Sequence, residues 1–157
     1  GSRGLGDVYQ RQYKSSSTII AGGETAGIPY SSFLCQKMKN PMIYIRKSPK
    51  GFGKGKLIEG DFKKNSQSIL VEDMATDGGS KLHFIKALRQ NDLKVKDIYV
   101  IFFYGIYPNA KKNISKMRVN LNYLTTWQDI LNVSPNYISN EDYLKLESYL
   151  SSIKNGK

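Results

Sequence analysis

The sequence predicts an α/β domain with a central, mostly parallel five-stranded sheet flanked by helices. Three observations predict it. A length of 157 residues suits one compact domain with an ordinary core. Apolar runs of strand length alternate with segments whose apolar residues recur at helical spacing, the pattern of strands joined by right-handed crossovers. The run over 98–104 is near-continuous in apolar residues, as strands buried on both faces are.

Each element has its own signal. Residues 1–17 are polar and glycine-rich, an N-terminal remnant or a vector-derived segment opening on Gly1-Ser2, which reads as a cleavage scar. The domain itself is expected over 18–157. A first strand is expected over 18–21; "GGETAGIP" breaks it, and 30–38 reads as a helix with Phe33, Leu34, Lys37 and Met38 at helical intervals. Asn40-Pro41 signals a turn before a second strand over 42–45. Further strands are expected over 68–71, 98–104 and 119–124. A helix over 81–90 sets Leu82, Ile85 and Leu88 on one face. Thr125 with Gln128 makes a capping-box pattern for a helix over 127–131. A helix over 141–153 closes the chain, with Tyr143, Leu144, Leu146, Leu150 and Ile153 as its apolar stripe. No internal repeat or low-complexity tract interrupts this order.

Composition narrows the chemistry. Apolar residues at 39% and charged residues at 24% are those of a folded globular chain. The longest apolar run, 98–108, is far too short to span a bilayer. No secretory signal is visible, so a cytoplasmic location is expected. Cys35 is the only cysteine, which excludes an intrachain disulfide and a thiolate metal cluster. His83 is the only histidine and falls at a helix position, where a surface or packing role is expected. The net charge of +11 calls for an anionic partner: nucleic acid, a membrane surface or a small phosphorylated substrate.

Three stretches carry the functional signal, and in an open α/β sheet all three fall at the carboxyl ends of strands. The first is "LVEDMATDGGSK", where an apolar run delivers Glu72 and Asp73 and then passes into small residues and a helix. Free N–H groups at a helix start favour an anion, Gly78 and Gly79 allow close backbone approach, and Thr76 and Ser80 offer hydroxyls. The two acids suit hydroxyl groups or a hydrated magnesium ion beside that anion. A ligand with a phosphate, a diol and a metal fits both halves; a helix cap with surface acids is the plainer alternative. The second stretch, "RKSPKGFGKGK" over 46–56, holds five basic residues, three glycines, a proline and no acid. It reads equally as a cationic loop that closes over a polyphosphate or as a solvated basic loop. The third, "GGETAGIP", repeats the strand, glycine turn and helix order and is a second candidate phosphate cradle.

These three segments in this order resemble the type I phosphoribosyltransferases, and within them the orotate phosphoribosyltransferases. "ILVEDMATDGGS" fits the family's signature over its full length, and the match extends through "TAGIP", "PMIYIRK" and "IEG". The resemblance implies the type I phosphoribosyltransferase fold and transfer of a phosphoribosyl group from phosphoribosyl pyrophosphate to orotate, giving orotidine 5'-monophosphate and pyrophosphate in pyrimidine biosynthesis. It implies that Glu72 and Asp73 hold the ribose hydroxyls, and that Met74, Ala75, Thr76, Asp77, Gly78, Gly79 and Ser80 wrap the 5-phosphate. Thr25 and Ala26 would meet the pyrophosphate. Arg46, Lys47 and Lys50 would neutralise it as it departs, often from the neighbouring subunit of a homodimer. Lys50 and Asp73 are thereby the candidate catalytic residues, and Thr76 and Tyr104 the candidate base contacts. Mg2+ would be held mainly by substrate, with Glu72 and Asp73 acting through water.

The chain departs from the family pattern in three places. Phe52 stands where the family loop usually carries a histidine, so a proton-donating loop histidine is absent. "FFYGIYP" replaces an Asp-Arg segment that contacts the base in many members. Members usually carry some further residues ahead of the first strand as a hood over the base, and here that hood is expected to be largely absent. Two rivals stay open: transfer to another base such as a purine, or a nucleotide-sensing, RNA-binding regulator on the same fold. Lys111, Lys112, Lys116 and Arg118 would give the regulator a basic face, although a solvated helix surface explains them as well. The loop lysines favour catalysis, which makes nucleic acid the less favoured partner; no membrane association is expected.

Overall fold

The structure, a computed structural model, describes residues 17–49 and 56–154. Among the described residues six strands form one sheet in the order β3-β2-β1-β4-β5-β6. They are β1 (Ile19–Gly23), β2 (Met42–Ile45), β3 (Ile58–Glu59), β4 (Gln67–Ala75), β5 (Lys94–Phe103) and β6 (Asn120–Thr126). Helix α1 (Gly27–Met38) links β1 to β2, α2 (Gly79–Gln90) links β4 to β5, and α3 (Ala110–Lys116) links β5 to β6. Helix α4 (Trp127–Val133), a 3-10 turn (Ser134–Asn136) and α5 (Asn140–Lys154) follow. Every pairing is parallel except the short β2–β3 edge.

Alternation along the strands sorts the core onto two faces. Ile19 and Ala21 of β1, Leu70 of β4, and Ile98 and Val100 of β5 pack with Phe84, Ile85 and Leu88 of α2 and Ile114 of α3. The intervening Ile20, Ile69, Val71 and Tyr99 pack on the other face with Leu34 and Cys35 of α1. Both faces of the central strands are buried, which is why these strands read as continuous apolar runs.

The structure amends several expected elements. The sheet has six strands, because the two-residue β3 pairs Tyr44 with Glu59 and Ile45 with Ile58 and is too short to leave a periodic signal. Strand β4 runs on to Ala75, so Glu72 and Asp73 lie inside it: β5 continues the ladder through Glu72–Val100, Met74–Phe102 and Ala75–Phe103. That ladder overrides the weak strand preference of acids. Helix α1 begins three residues early and turns Phe33 outward, 71% exposed. In α2 Leu82 is exposed although it was expected on the apolar face, and Lys81 is buried. The capping box of α4 is Thr126 with Asp129, one residue beyond the expected pair. On α5 the only buried residue is Leu150, and Leu144 is 54% exposed.

One consequence of the topology positions everything that follows. Because β1, β2, β4, β5 and β6 run parallel, Gly23, Ile45, Ala75, Phe103 and Thr126 end along one edge of the sheet. The turns that leave those ends gather there.

Candidate active site

The β1 turn is built against β2. Gly22 and Gly23 close β1, the Glu24 N–H donates to the Ile45 carbonyl at 2.8 Å, and the Ile28 N–H donates to the Thr25 carbonyl at 3.2 Å. This leaves Thr25 and Ala26 exposed at the tip, immediately before α1. The Glu24 carboxylate accepts the Lys47 N–H at 2.8 Å, which ties this turn to the segment after β2. Arg46 is anchored there by its N–H to the Leu57 carbonyl at 2.8 Å and by an ion pair with Glu59 at 3.5 Å. His83 lies 3.2 Å from the Arg46 carbonyl and edge-on to Phe84, a packing role. Lys47 is exposed, while Lys50 and Phe52 lie outside the described residues.

The end of β4 holds a buried ion pair. Lys81 Nζ lies 2.7 Å from Glu72 Oε2, with side chains only 6% and 7% exposed. Glu72 Oε1 is buried and has no hydrogen-bond partner. It points into the space left by two glycines, since a Cβ on Gly27 would lie 2.6 Å from it. Burial pushes the Glu72 carboxyl above its ordinary range, and the charge and hydrogen bond of Lys81 pull it part of the way back. The next residue alternates to the opposite face. Asp73 is half-buried, and its Oδ1 accepts the Met74 N–H at 2.7 Å. The acid pair is thus split into one sequestered and one accessible carboxylate.

The turn from β4 into α2 carries a carboxylate of its own. Asp77 Oδ1 accepts the Gly79 N–H at 3.0 Å and the Thr76 hydroxyl at 3.3 Å. The backbone bond from Gly79 is the main reason its carboxyl is held below the ordinary range. Gly78 has φ +90, and a Cβ there would also lie 2.8 Å from Ile114, so only glycine fits. Ser80 and Gly79 are exposed on the first turn of α2.

Tyr104 follows β5, and its N–H donates to the Ala75 carbonyl at 2.9 Å, which sets it beside this turn. Its ring packs edge-on to Phe102 and Trp127 and stacks on Tyr107 at 6.2 Å. A cavity of about 380 Å³ opens beside it, lined by Tyr104, Trp127, Tyr143, Lys111 and Lys154 among others. On the α1 side, burial pushes the Cys35 thiol up to about 11, which removes it from nucleophilic chemistry. No three His, Cys, Asp or Glu side chains gather to hold a metal among the described residues.

An orotate phosphoribosyltransferase of Ruegeria sp. (strain TM1040) is 46% identical over 112 residues, 71% of this chain and 50% of that protein. One from Cereibacter sphaeroides (strain ATCC 17029 / ATH 2.4.9) is 45% identical over the same length. The chain is similar to the orotate phosphoribosyltransferases and has the type I phosphoribosyltransferase fold.

The chain spans about half the length of the curated relatives it matches. Among solved structures, Leishmania donovani UMP synthase superposes with a TM-score of 0.76 at 25% identity, over 94% of this chain and 31% of that one. An orotate phosphoribosyltransferase from Aeropyrum pernix gives 0.67 at 28% identity, over 83% of this chain and 71% of that one. No family model matches the chain.

The fold brings the two phosphate-cradle candidates, the acid pair and Tyr104 to one edge. It adds a residue that the linear reading passed over. Lys81 falls three, four and seven positions before Phe84, Ile85 and Leu88, on the buried stripe of α2. A lysine at such a position demands a buried partner, and that spacing was the available signal.

Proposed function

We propose that the chain carries the phosphoribosyl pyrophosphate site of an orotate phosphoribosyltransferase, which makes orotidine 5'-monophosphate in de novo pyrimidine (UMP) biosynthesis. A ring nitrogen of orotate attacks the anomeric carbon as the carbon–oxygen bond to pyrophosphate breaks, through an oxocarbenium-like transition state. The observation that carries this reading is the placement of "VEDMATDGGS": two carboxylates at the carboxyl edge of the sheet, followed by a turn that opens α2, beside the exposed Thr25–Ala26 tip. The 45–46% identity to proteins of this name supports it.

In this reading Asp73 takes the ribose hydroxyls from its half-exposed position, and Glu72 Oε1 is the acceptor still lacking a donor. Thr76, Gly79 and Ser80 bind the 5-phosphate, Thr25 and Ala26 bind the pyrophosphate, and Lys47 with Lys50 neutralises it as it leaves. Tyr104 packs at the base end. Magnesium, the expected cofactor, would be held mainly by substrate, with Glu72 and Asp73 through water, and would supply positive charge to the leaving group. A homodimer sharing the 46–56 loop and a cytoplasmic location complete the proposal; no helix of the described residues is long and apolar enough to cross a membrane.

The test is pyrophosphate release from phosphoribosyl pyrophosphate and magnesium with orotate, adenine or hypoxanthine as acceptor, alongside a binding titration with phosphoribosyl pyrophosphate alone. Release with orotate supports the assignment. Release only with a purine overturns the base, and failure to bind phosphoribosyl pyrophosphate overturns the site.

A further inference from the structure

We propose that Lys81 is a positioning residue of the phosphoribosyl site, fixing the Glu72 carboxylate at the end of β4 and directing the Ser80 hydroxyl outward as a donor. The proposal rests on the reading of this edge as a phosphoribosyl site. Three observations carry it. Lys81 Nζ is 2.7 Å from Glu72 Oε2, and both side chains are removed from water. The same Nζ is 3.3 Å from Ser80 Oγ. Glu72 Oε1 is the one buried oxygen of the pair left without a donor, and it sits against Gly23 and Gly27 of the other cradle.

The chemistry follows from donor and acceptor counting. An ammonium has three N–H donors and no acceptor, so it meets Glu72 and Ser80 only by donating. A hydroxyl that accepts from Lys81 has its own proton left to give, and an exposed phosphate oxygen is the acceptor that proton suits. Glu72, held by one oxygen, is confined to one rotamer and presents the other to the space between the cradles. Lys81 thereby couples the strand end to the phosphate turn, although it does not touch substrate itself.

A purely structural ion pair would do less. It would weaken every ligand alike when removed. The positioning role is selective: ribose 5-phosphate uses the half of the site that Lys81 organises, and pyrophosphate uses the 24–26 turn, whereas the polar partners of Lys81 are Glu72 and Ser80.

The experiment titrates the parent chain and Lys81→Met with ribose 5-phosphate and, separately, with pyrophosphate. Lys81→Met is expected to lose about ten- to hundredfold in affinity for ribose 5-phosphate, the scale of hydrogen bonds to charged groups, and less than about threefold for pyrophosphate. Equal losses for both ligands, or none for ribose 5-phosphate, overturn the positioning role. A parent chain that binds neither ligand instead overturns the site reading on which it rests. Should Lys81→Met fail to fold, the parent protein answers alone: the slowly exchanging ¹⁵N ammonium signal of Lys81 is expected to shift on saturation with ribose 5-phosphate and stay in place with pyrophosphate. A signal unmoved by ribose 5-phosphate, with binding verified calorimetrically, sinks the proposal.

Discussion

Gly23 and Glu72 share one space: a Cβ on Gly23 would overlap Glu72 Oε1 and lie 2.6 Å from the ring of Phe84. The end of β1 and the end of β4 can approach only because residue 23 has no side chain. Both neighbours are fixed, Glu72 by Lys81 and Phe84 by the core beneath α2.

Gly23→Ala is therefore an overpacking substitution at a site that cannot give. It is expected to destabilise the fold by about 1–3 kcal/mol, read from the urea midpoint at unchanged slope. Unchanged stability would mean that the Glu72 carboxylate is free to leave its place.

Asp77 makes a different prediction, because its carboxylate occupies the N–H of Gly79 that a phosphate would use. Its folded pKa is depressed, so it contributes stability above its unfolded value and loses it as pH falls through the folded value. Asp77→Asn is expected to flatten the acid limb of the stability profile below about pH 4. Asn keeps the oxygen acceptor and drops the charge, so inorganic phosphate should bind a few times more tightly. Weaker phosphate binding in calorimetry would show that the negative charge itself organises the turn.

The order of these elements was largely legible from sequence, and the reasons for success and failure are physical. Strands β1, β4 and β5 announce themselves because both their faces are buried, and the glycine turns because Gly78 takes φ +90 and a Cβ on Gly23 would meet Glu72. The β4 boundary escapes a sequence reading because the ladder with β5, between two interior strands, holds Glu72 to Ala75 extended, a tertiary effect no local window contains. Lys81 was missed because lysine is read as solvent-seeking, and only its ion pair makes burial tolerable. The face of α5 was misjudged because an apolar stripe states a preference without naming what will cover it.

Asp73 is the accessible half of the acid pair, so its removal should separate binding from folding. Asp73→Asn retains the shape and the Oδ1 acceptor for Met74 while halving the acceptors available to ribose hydroxyls. Affinity for phosphoribosyl pyrophosphate is expected to fall about tenfold or more, with a melting temperature within a few degrees of the parent. Unaltered affinity in calorimetry would take Asp73 out of the site.

Lys50 carries the prediction closest to the chemical step. It lies outside the described residues, and its role is implied by the family resemblance of the 46–56 loop. Pyrophosphate departure builds negative charge on the bridging oxygen, and a fixed ammonium in a closed site lowers that barrier as charge develops. Lys50→Ala is expected to reduce turnover by about two to three orders of magnitude, the scale of one preorganised donor. Affinity for phosphoribosyl pyrophosphate should change less, since the contact strengthens mainly in the transition state. If the loop acts across a homodimer, mixing Lys50→Ala with Asp73→Asn chains should restore part of the activity, because one hybrid site then carries both intact residues. Turnover at the parent rate by Lys50→Ala would leave the loop a solvated basic segment, and no complementation in a verified heterodimer would confine each site to one chain.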